Sequence, residues 1–194
     1  MVATRQDISV YPEDLFNSGD VQFGDDGNGN AYSEQHLWVL YTKARHEKAL
    51  ARRAVQCGVP FFLPLIKQMK YSRGYRYSVH APLFPGYFFL FGNDEQRVWS
   101  LTTSHVSRVL TVPEPGRLFA DLARIHHLTG TEAIVTPERR LEPGRPVRVS
   151  AGPLFGLEGH VLKRRGETRL LVSVDFLQQG ASVEVDDFML EPID

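Results

Sequence analysis

Cysteine is almost missing from this sequence, since Cys57 is the only one among 194 residues. A single cysteine excludes an intramolecular disulfide and a thiolate-rich metal site, and it favours a reducing compartment. Long hydrophobic runs are missing too, because no apolar stretch approaches the roughly 20 residues that span a membrane. The N-terminus also lacks the basic start and apolar middle of a signal peptide. We therefore expect a cytoplasmic protein without a membrane segment.

Catalytic and nucleotide-binding motifs are absent as well. The sequence has no glycine-rich nucleotide loop and no Gly-x-Ser-x-Gly motif, and its seven histidines show no metal-ligand spacing. The adjacent His126 and His127 would diverge on a helix, and Asp186 and Asp187 would point apart on a strand. We therefore expect no catalytic residue, no metal site and no cofactor.

Charge is distributed unevenly along the chain. Residues 1–35 contain seven acidic residues and one basic residue, with many turn formers and no sustained periodicity. This composition predicts a disordered acidic tail. The rest of the chain is mildly basic, which suits contact with nucleic acid or with an acidic protein surface and equally suits an ordinary solvated surface.

Residues 36–130 have the alternating periodicities of an α+β domain. The order of elements is β-α-β-β-α-β-α, which predicts an antiparallel sheet with helices on one face. A polar segment at 72–76 predicts a hairpin with a basic, exposed tip. The predicted strands lie within 37–41, 59–71, 82–91 and 107–112, and the predicted helices lie at 44–58, after Asn93 or Asp94, and at 117–130.

The segment 82–91, PLFPGYFFLF, contains no charged residue. On a strand, successive side chains alternate between the two faces, so Tyr87 and Phe89 share one face while Phe88 and Leu90 share the other. Both faces of this predicted strand are apolar. Each face therefore needs a cover, either from the protein itself or from a partner.

The C-terminal part of the sequence predicts an all-β domain. Residues 131–142 show no clear period and contain two prolines, which is typical of a linker. Residues 143–194 contain only short alternating runs separated by turns, which predict a small closed or nearly closed barrel. The runs are RPVRVS, EGHVLKR, TRLLVSVDF, ASVEVD and FMLEPI.

Glycines between alternating valines give residues 143–162, PGRPVRVSAGPLFGLEGHVL, a recognisable pattern. It resembles the KOW motif of small SH3-like barrels, which occurs in ribosomal proteins and in the NusG family of transcription factors. Any small barrel with glycine turns is an alternative on this segment alone. The segments Trp38–Tyr41, Lys43–Lys48 and Leu83–Phe89 resemble the NusG N-terminal domain, and Val183–Asp186 resembles the last strand of its KOW domain.

The resemblance covers residues 36–194 and implies a NusG-type α+β domain at 36–130 followed by an SH3-like KOW barrel at 143–194. It implies a monomeric factor that binds RNA polymerase and suppresses pausing or termination. The loop at 176–180 departs from general NusG proteins, since its aromatic residue is shifted by one and Gln179 replaces the usual basic residue. This favours a specialised, RfaH-like member that acts at specific operons.

Two alternatives remain. The chain could be a general NusG-type elongation factor that couples polymerase to termination factor Rho or to the ribosome. It could instead be a KOW-type RNA-binding protein associated with the ribosome. If the chain is a NusG-type factor, specialised or general, the candidate partners of its KOW domain are a small-subunit ribosomal protein and Rho.

The resemblance also implies binding residues. In this family, an open hydrophobic depression grips the clamp helices of the largest polymerase subunit, while Phe88 and Leu90 would pack on the domain's own helices. Aromatic anchors suit such a surface. The candidate residues for the clamp helices are Tyr41, Phe84, Tyr87, Phe89, Lys43 and His46.

Three smaller candidate sites follow from the same resemblance. The first would contact the gate loop of polymerase, although this chain lacks the His-Thr-Thr order of RfaH-like proteins. The second would contact DNA or RNA, and the third is the partner loop of the KOW domain. Their residues are, in turn, Thr102, Thr103 and Ser104; Arg45, Arg73 and Arg76; and Phe176, Leu177 and Gln178.

Overall fold

The computed structural model describes residues 7–17, 36–139, 144–164 and 166–193. Its contacts divide the chain into two units, Met1–Gly116 and Arg117–Asp194. This division places most of the third helix with the C-terminal unit. The predicted domain boundary after residue 130 stays a prediction.

The first unit is built on a five-stranded antiparallel sheet with the strand order β1-β3-β6-β2-β7, and a separate two-stranded hairpin is formed by β4 and β5. Its elements are β1 (Val10–Tyr11), β2 (His36–Thr42), α1 (Glu47–Gln56), β3 (Phe61–Phe62), β4 (Leu65–Ser72), β5 (Tyr75–Pro82), β6 (Tyr87–Gly92), α2 (Asp94–Thr102) and β7 (Val106–Leu110).

Both helices of the first unit pack on one face of the sheet, as predicted. The side chains of Phe88 and Leu90 on β6 are fully buried in a cluster with Leu50 and Ala54 of α1. Trp99 of α2 packs against the same cluster. The spacing of Leu50 and Ala54 gives α1 one apolar stripe, which is what binds an amphipathic helix to a sheet. Phe88 and Leu90 are therefore core residues.

The ends of the helices follow local backbone chemistry. α1 begins three residues later than predicted, because Arg45 has a left-handed backbone (φ 65°) that a helix cannot include. Gly58 (φ 66°) follows its C-terminus, where glycine tolerates this conformation. α2 starts at a capping box, in which the Asn93 side chain accepts the Gln96 N–H and the Gln96 side chain accepts the Asn93 N–H.

The N-terminal segment corrects one prediction. Residues 7–17 were expected within a disordered tail, but Val10–Tyr11 pairs with Phe61–Phe62 as an edge strand. Leu15 is buried, and the ring of Phe16 meets those of Phe62 and Phe91 edge-on. Burial of these apolar side chains provides the free energy that holds the segment in place. The rest of the predicted tail, residues 1–6 and 18–35, lies outside the described residues.

The second unit combines one helix with an antiparallel sheet of the order β13-β9-β10-β11-β12-β8. All five predicted runs form strands, and a sixth strand lies in the predicted linker, of which residues 140–142 are outside the described part. The elements are α3 (Pro115–Thr129), β8 (Thr136–Glu138), β9 (Pro146–Val149), β10 (Glu158–Arg164), β11 (Glu167–Val174), β12 (Gln179–Glu184) and β13 (Leu190–Pro192).

The sequence predicted a small closed or nearly closed barrel, and the sheet does not close. Among the described residues, β8 and β13 are edge strands, and no pairing joins them. Val147, Val149, Leu170, Val172 and Val183 are the buried apolar residues of its strands that the alternating pattern predicts to face inward. No helix in the described ranges is long and apolar enough to cross a membrane.

Candidate functional site

A pair of tyrosines lies near one end of the five-stranded sheet. Tyr41 on β2 is the register partner of Tyr87 on β6, and their rings meet edge-on with centroids 5.5 Å apart. Both side chains are half-buried. The guanidinium of Arg108 on β7 lies 5.0 Å from the centroid of the Tyr41 ring, within reach of a cation–π interaction. We call Tyr41 and Tyr87 the tyrosine pair.

The turn before β6 is built to place this pair. Gly86 has φ 86°, and a Cβ at this position would lie 3.1 Å from Cε2 of Tyr41. Its N–H donates to Oε1 of the buried Glu47 at 2.8 Å, and its carbonyl accepts the N–H of Thr42 at 2.8 Å. The Pro-Gly turn is thereby joined to the end of β2 and to the start of α1. Glycine is required here for both its backbone angle and its lack of a side chain.

Two predicted anchors are not exposed. Phe84 and Phe89 were expected in an open depression, but their side chains are 1% and 0% exposed. The centroid of the Phe89 ring lies 6.3 Å from the centroid of the Phe62 ring and 6.5 Å from that of the Phe84 ring. The alternation along β6 was predicted correctly, whereas the exposure of its second face was not. Of the four aromatic residues predicted for that surface, only Tyr41 and Tyr87 are partly exposed.

The basic loop after β2 lies against the loop after α2. The Lys43 N–H donates to the His105 carbonyl at 2.9 Å, and Nδ1 of His46 lies 2.8 Å from Nδ1 of His105. Lys43 and Arg45 are exposed, and His46 is half-buried. The structure therefore joins the segment predicted to meet the clamp helices with the segment predicted to meet the gate loop.

The predicted gate-loop residues differ in exposure. Thr103 is buried, and its Oγ1 donates to the Ser100 carbonyl at 2.6 Å. Thr102 and Ser104 are exposed, although Oγ1 of Thr102 also donates within the helix, to the Trp99 carbonyl at 2.7 Å. Ser104 has a left-handed backbone (φ 60°). Thr102 and Ser104 can reach another molecule, while Thr103 fixes the end of α2.

The two histidines of these loops form a hydrogen bond that needs one proton. At 2.8 Å, one Nδ1 must donate and the other must accept, so a second proton on this pair of atoms would break the bond. Partial burial lowers the pKa of His105, and the positive charges of His46, Arg53, Lys43 and Arg52 lower it further. We therefore expect the contact between the two loops to weaken in acid.

The predicted nucleic-acid residues lie on two separate elements. Arg73 and Arg76 are exposed on the β4–β5 hairpin, whereas Arg45 belongs to the loop between β2 and α1. The sequence analysis missed the exposed tyrosines of the same hairpin. Their signal is present in KQMKYSRGYRYSVH, where tyrosines alternate with lysines and arginines and no acid occurs.

The predicted partner loop of the second unit is attached to α3. The N–H of Asp175 donates to Oδ2 of Asp121 at 3.1 Å. The carboxylate of Asp175 forms a salt bridge with Arg117. Burial raises the pKa of Asp121. Leu177 is buried and Phe176 is half-buried, so Gln178 is the exposed member of the three predicted residues. Asp121 and Arg117 thus fix the shape of this loop.

The comparison with known families concerns mainly the first unit. Residues 35–121 match the model of the NusG family, described as transcription termination factor nusG. The matched segment, a little under half of the chain, contains the tyrosine pair, both loops and the hairpin. It supports a NusG-type protein, and thus a transcription elongation or termination factor in general. No curated protein matches the chain.

Proposed function

We propose that this chain is a NusG-type transcription factor that binds RNA polymerase and suppresses pausing or termination at specific operons. The family match over residues 35–121 supports the general part of this proposal. The observation that carries the binding site is the half-exposed tyrosine pair, which lies beside a cationic side chain at one end of the sheet. The narrower role rests on the sequence of the loop at 176–180, which departs from general NusG proteins.

In this proposal, the tyrosine pair supplies the anchors for the clamp helices of the largest polymerase subunit. Tyrosine suits such a contact because its ring buries apolar area while its hydroxyl keeps a polar partner. The guanidinium of Arg108 lies over the Tyr41 ring, and Lys43, two residues after Tyr41, is exposed. This positive charge suits acidic residues on a partner. Phe84 and Phe89 are buried, so their place in the proposal is in the core of the domain and not in its binding surface.

The proposed gate-loop contact uses Thr102 and Ser104, the exposed residues after α2. Because the loop that carries them is hydrogen-bonded to the Lys43–His46 segment, both polymerase contacts would be positioned together. In the second unit, Gln178 is the accessible part of the proposed partner loop for a small-subunit ribosomal protein or Rho.

Polymerase retention tests the proposed surface. The double variant Tyr41→Ala, Tyr87→Ala should lose most polymerase co-purification, because truncating one aromatic anchor costs about 2 kcal/mol or more of binding. Two matched controls are available. Tyr41→Phe with Tyr87→Phe keeps both rings, and Phe155→Ala with Phe188→Ala removes two side chains that are 68% and 78% exposed in the second unit. Wild-type retention by the tyrosine-to-alanine variant would remove the basis of the proposed surface.

A reconstituted transcription assay tests the activity. We expect the protein to shorten pauses and to reduce termination on some templates of a panel and not on others. Stimulation of Rho-dependent termination on all templates would instead identify a general NusG-type factor. The tyrosine-to-alanine variant serves as the control, since any effect that survives it does not depend on the proposed surface.

A further inference from the structure

One face of the five-stranded sheet is apolar along the whole of β6. Tyr87, Phe89 and Phe91 alternate onto the face opposite to α1 and α2. Phe62 on β3 shares this face, because it is the register partner of Phe89. We call this the second face of the sheet, and the tyrosine pair lies at one end of it.

The N-terminal segment, residues 7–17, covers the other end of the second face. The Phe16 ring meets the Phe62 and Phe91 rings edge-on, with centroid distances of 4.9 Å and 6.2 Å. Phe62 and Phe91 are 0% and 1% exposed, and Leu15, next to Phe16 in the sequence, is 4% exposed. The end that carries the tyrosine pair is half-buried. The second face is therefore covered at one end by this segment and open at the other.

β1 attaches the segment to the edge of the sheet. It pairs with β3, and Tyr11 stacks on Phe61 with ring centroids 6.5 Å apart. Tyr11 also packs against the buried cluster between the sheet and α1. The carboxylate of Asp7 forms a salt bridge with Lys48 of α1 at 2.6 Å. These contacts lie on the helix side of the sheet, away from the second face.

Residues 12–17 are held differently. They form turns, in which the N–H groups of Leu15 and Asn17 donate to carbonyls three residues earlier. Phe16 contacts the second face, and Leu15 beside it is buried. A short segment with few buried apolar side chains belongs to the least stable parts of a fold. Residues 12–17 can therefore leave the face while β1 stays paired.

The second face is long enough for a partner to meet both of its ends. Tyr87 and Phe91 are four residues apart on β6, which corresponds to about 13 Å. One α-helix with its side chains is about 10 Å across, so two packed helices are about 20 Å across. Two helices on the tyrosine pair would therefore extend to the place that Phe16 occupies. Residues 12–17 and such a partner would compete for it.

We propose that residues 12–17 are a displaceable cover of the polymerase-binding face. In the free protein, Leu15 and Phe16 keep the apolar end of the second face from water. In the complex, apolar side chains of the polymerase helices replace them. This inference rests on the proposed function, because it concerns the regulation of the same surface. The family match begins at residue 35, so it assigns no role to the cover.

A release variant, Leu15→Ala with Phe16→Ala, tests the cover in the full-length chain. It should bind polymerase core enzyme about tenfold more tightly than the wild type, because a larger fraction of the free protein already has the second face uncovered. Fluorescence anisotropy of the chain labelled at Cys57, which is exposed, measures both affinities.

Two matched controls separate the cover from the rest of the segment. Ile8→Ala shortens an apolar side chain of the same segment that is 39% exposed, and it should bind as the wild type does. Leu15→Met with Phe16→Tyr keeps side chains of similar size, so the cover should persist and the affinity should stay within about threefold of the wild type.

Hydrogen exchange of the wild-type chain, followed by mass spectrometry, gives a second test that does not depend on a substitution. We expect the amides of residues 12–17 to lose protection when polymerase core enzyme is added. The Leu63 N–H donates to the Ser9 carbonyl at 2.6 Å. It belongs to the attachment at β1 and should keep its protection.

The outcomes distinguish this inference from the polymerase proposal. Equal affinities of the release variant and the wild type, or unchanged protection of residues 12–17 in the complex, would refute the cover and leave the polymerase proposal intact. Weaker binding by the release variant would also refute the cover, because Leu15 and Phe16 would then be part of the binding surface. Failure of both proteins to bind polymerase would refute the polymerase proposal and this inference together.

Discussion

The five-stranded sheet and the β4–β5 hairpin of the first unit use aromatic residues in opposite ways. Phe61, Phe88 and Phe89 in the sheet are fully buried, while Tyr71 and Tyr75 in the hairpin are 73% and 78% exposed. Strand propensity favours aromatic residues in both places, so it does not explain the difference. What differs is the type of residue next to each ring. The rings of the sheet have apolar neighbours, and those of the hairpin have lysine and arginine. Aromatic residues among cations therefore indicate a binding surface, and aromatic residues among aliphatic ones indicate a core.

The largest expected effect concerns a buried aromatic residue of the five-stranded sheet. Phe88→Ala removes a fully buried ring that stacks on Phe61 with centroids 5.0 Å apart. We expect the free energy of unfolding to fall by about 3–5 kcal/mol, because the cavity adds to the lost burial. Urea denaturation followed by tryptophan fluorescence measures this, since Trp38 and Trp99 are the two tryptophans of the chain and both belong to the first unit.

Phe88→Leu is the matched control, because it keeps an apolar side chain of intermediate size and should lose less stability than alanine. A loss below about 1 kcal/mol for Phe88→Ala would mean that the strand is covered by something other than the cluster with α1.

The second prediction concerns the turn that positions the tyrosine pair. Gly86→Ala places a methyl group 3.1 Å from the Tyr41 ring at a φ of 86°. We expect a loss of about 1–3 kcal/mol in the free energy of unfolding, since left-handed backbone strain and crowding act together. Polymerase retention should fall as well if the Tyr41 ring is an anchor.

Gly58→Ala provides a control with the same kind of strain and no neighbour. Gly58 has φ 66° and no atom within 4 Å of an added Cβ. It should lose about 1 kcal/mol, from the backbone alone, and keep full polymerase retention. Equal losses and equal retention for the two variants would show that the contact between Gly86 and Tyr41 has no role in binding.

The sequence was sufficient for the elements that depend on local pattern. The alternation in β2, β6 and the C-terminal strands predicted their faces, and the apolar stripe of α1 predicted the face that packs on Phe88 and Leu90. Pro64 divides the predicted run at 59–71 into two strands that enter different sheets, an outcome that strand propensity alone did not reveal.

Apart from the start of α1, which the backbone of Arg45 shifts, the errors concern contacts between distant segments. β1 has only two residues, and its partner β3 lies about fifty positions away. No local sequence pattern therefore predicts this pairing. The burial of Phe84 and Phe89 was missed because alternation assigns a side chain to a face but does not say what covers that face. The exposed hairpin tyrosines were missed for the same reason. Burial depends on the tertiary structure. A strand pattern predicts which side chains share a face, but it does not predict which face is covered.

A third prediction uses acid to separate the two loops beside the tyrosine pair. Because the pKa of His105 is lowered in the folded state, the unfolded chain binds more protons below the ordinary value of 6.5. The stability of the first unit should therefore be complete above about pH 6.5 and should decrease as the pH falls below it. Tryptophan-detected urea denaturation between pH 7.5 and pH 5 measures this.

His105→Asn removes the titrating ring and keeps a side chain that can bond to His46. We expect its stability to change less with pH over that window than the stability of the wild type. Parallel curves for the two proteins would mean that other groups account for the acid sensitivity.

The smallest expected effect concerns an exposed tyrosine of the β4–β5 hairpin. Tyr75→Thr replaces a side chain that is 78% exposed, and threonine keeps the strand propensity of the site. The free energy of unfolding should change by no more than about 0.5 kcal/mol in the same tryptophan-detected assay. Tyr75→Phe is the matched control for the ring. A destabilisation of several kcal/mol by threonine but not by phenylalanine would mean that the ring is part of a core. An unchanged free energy of unfolding would show that the fold does not need this ring.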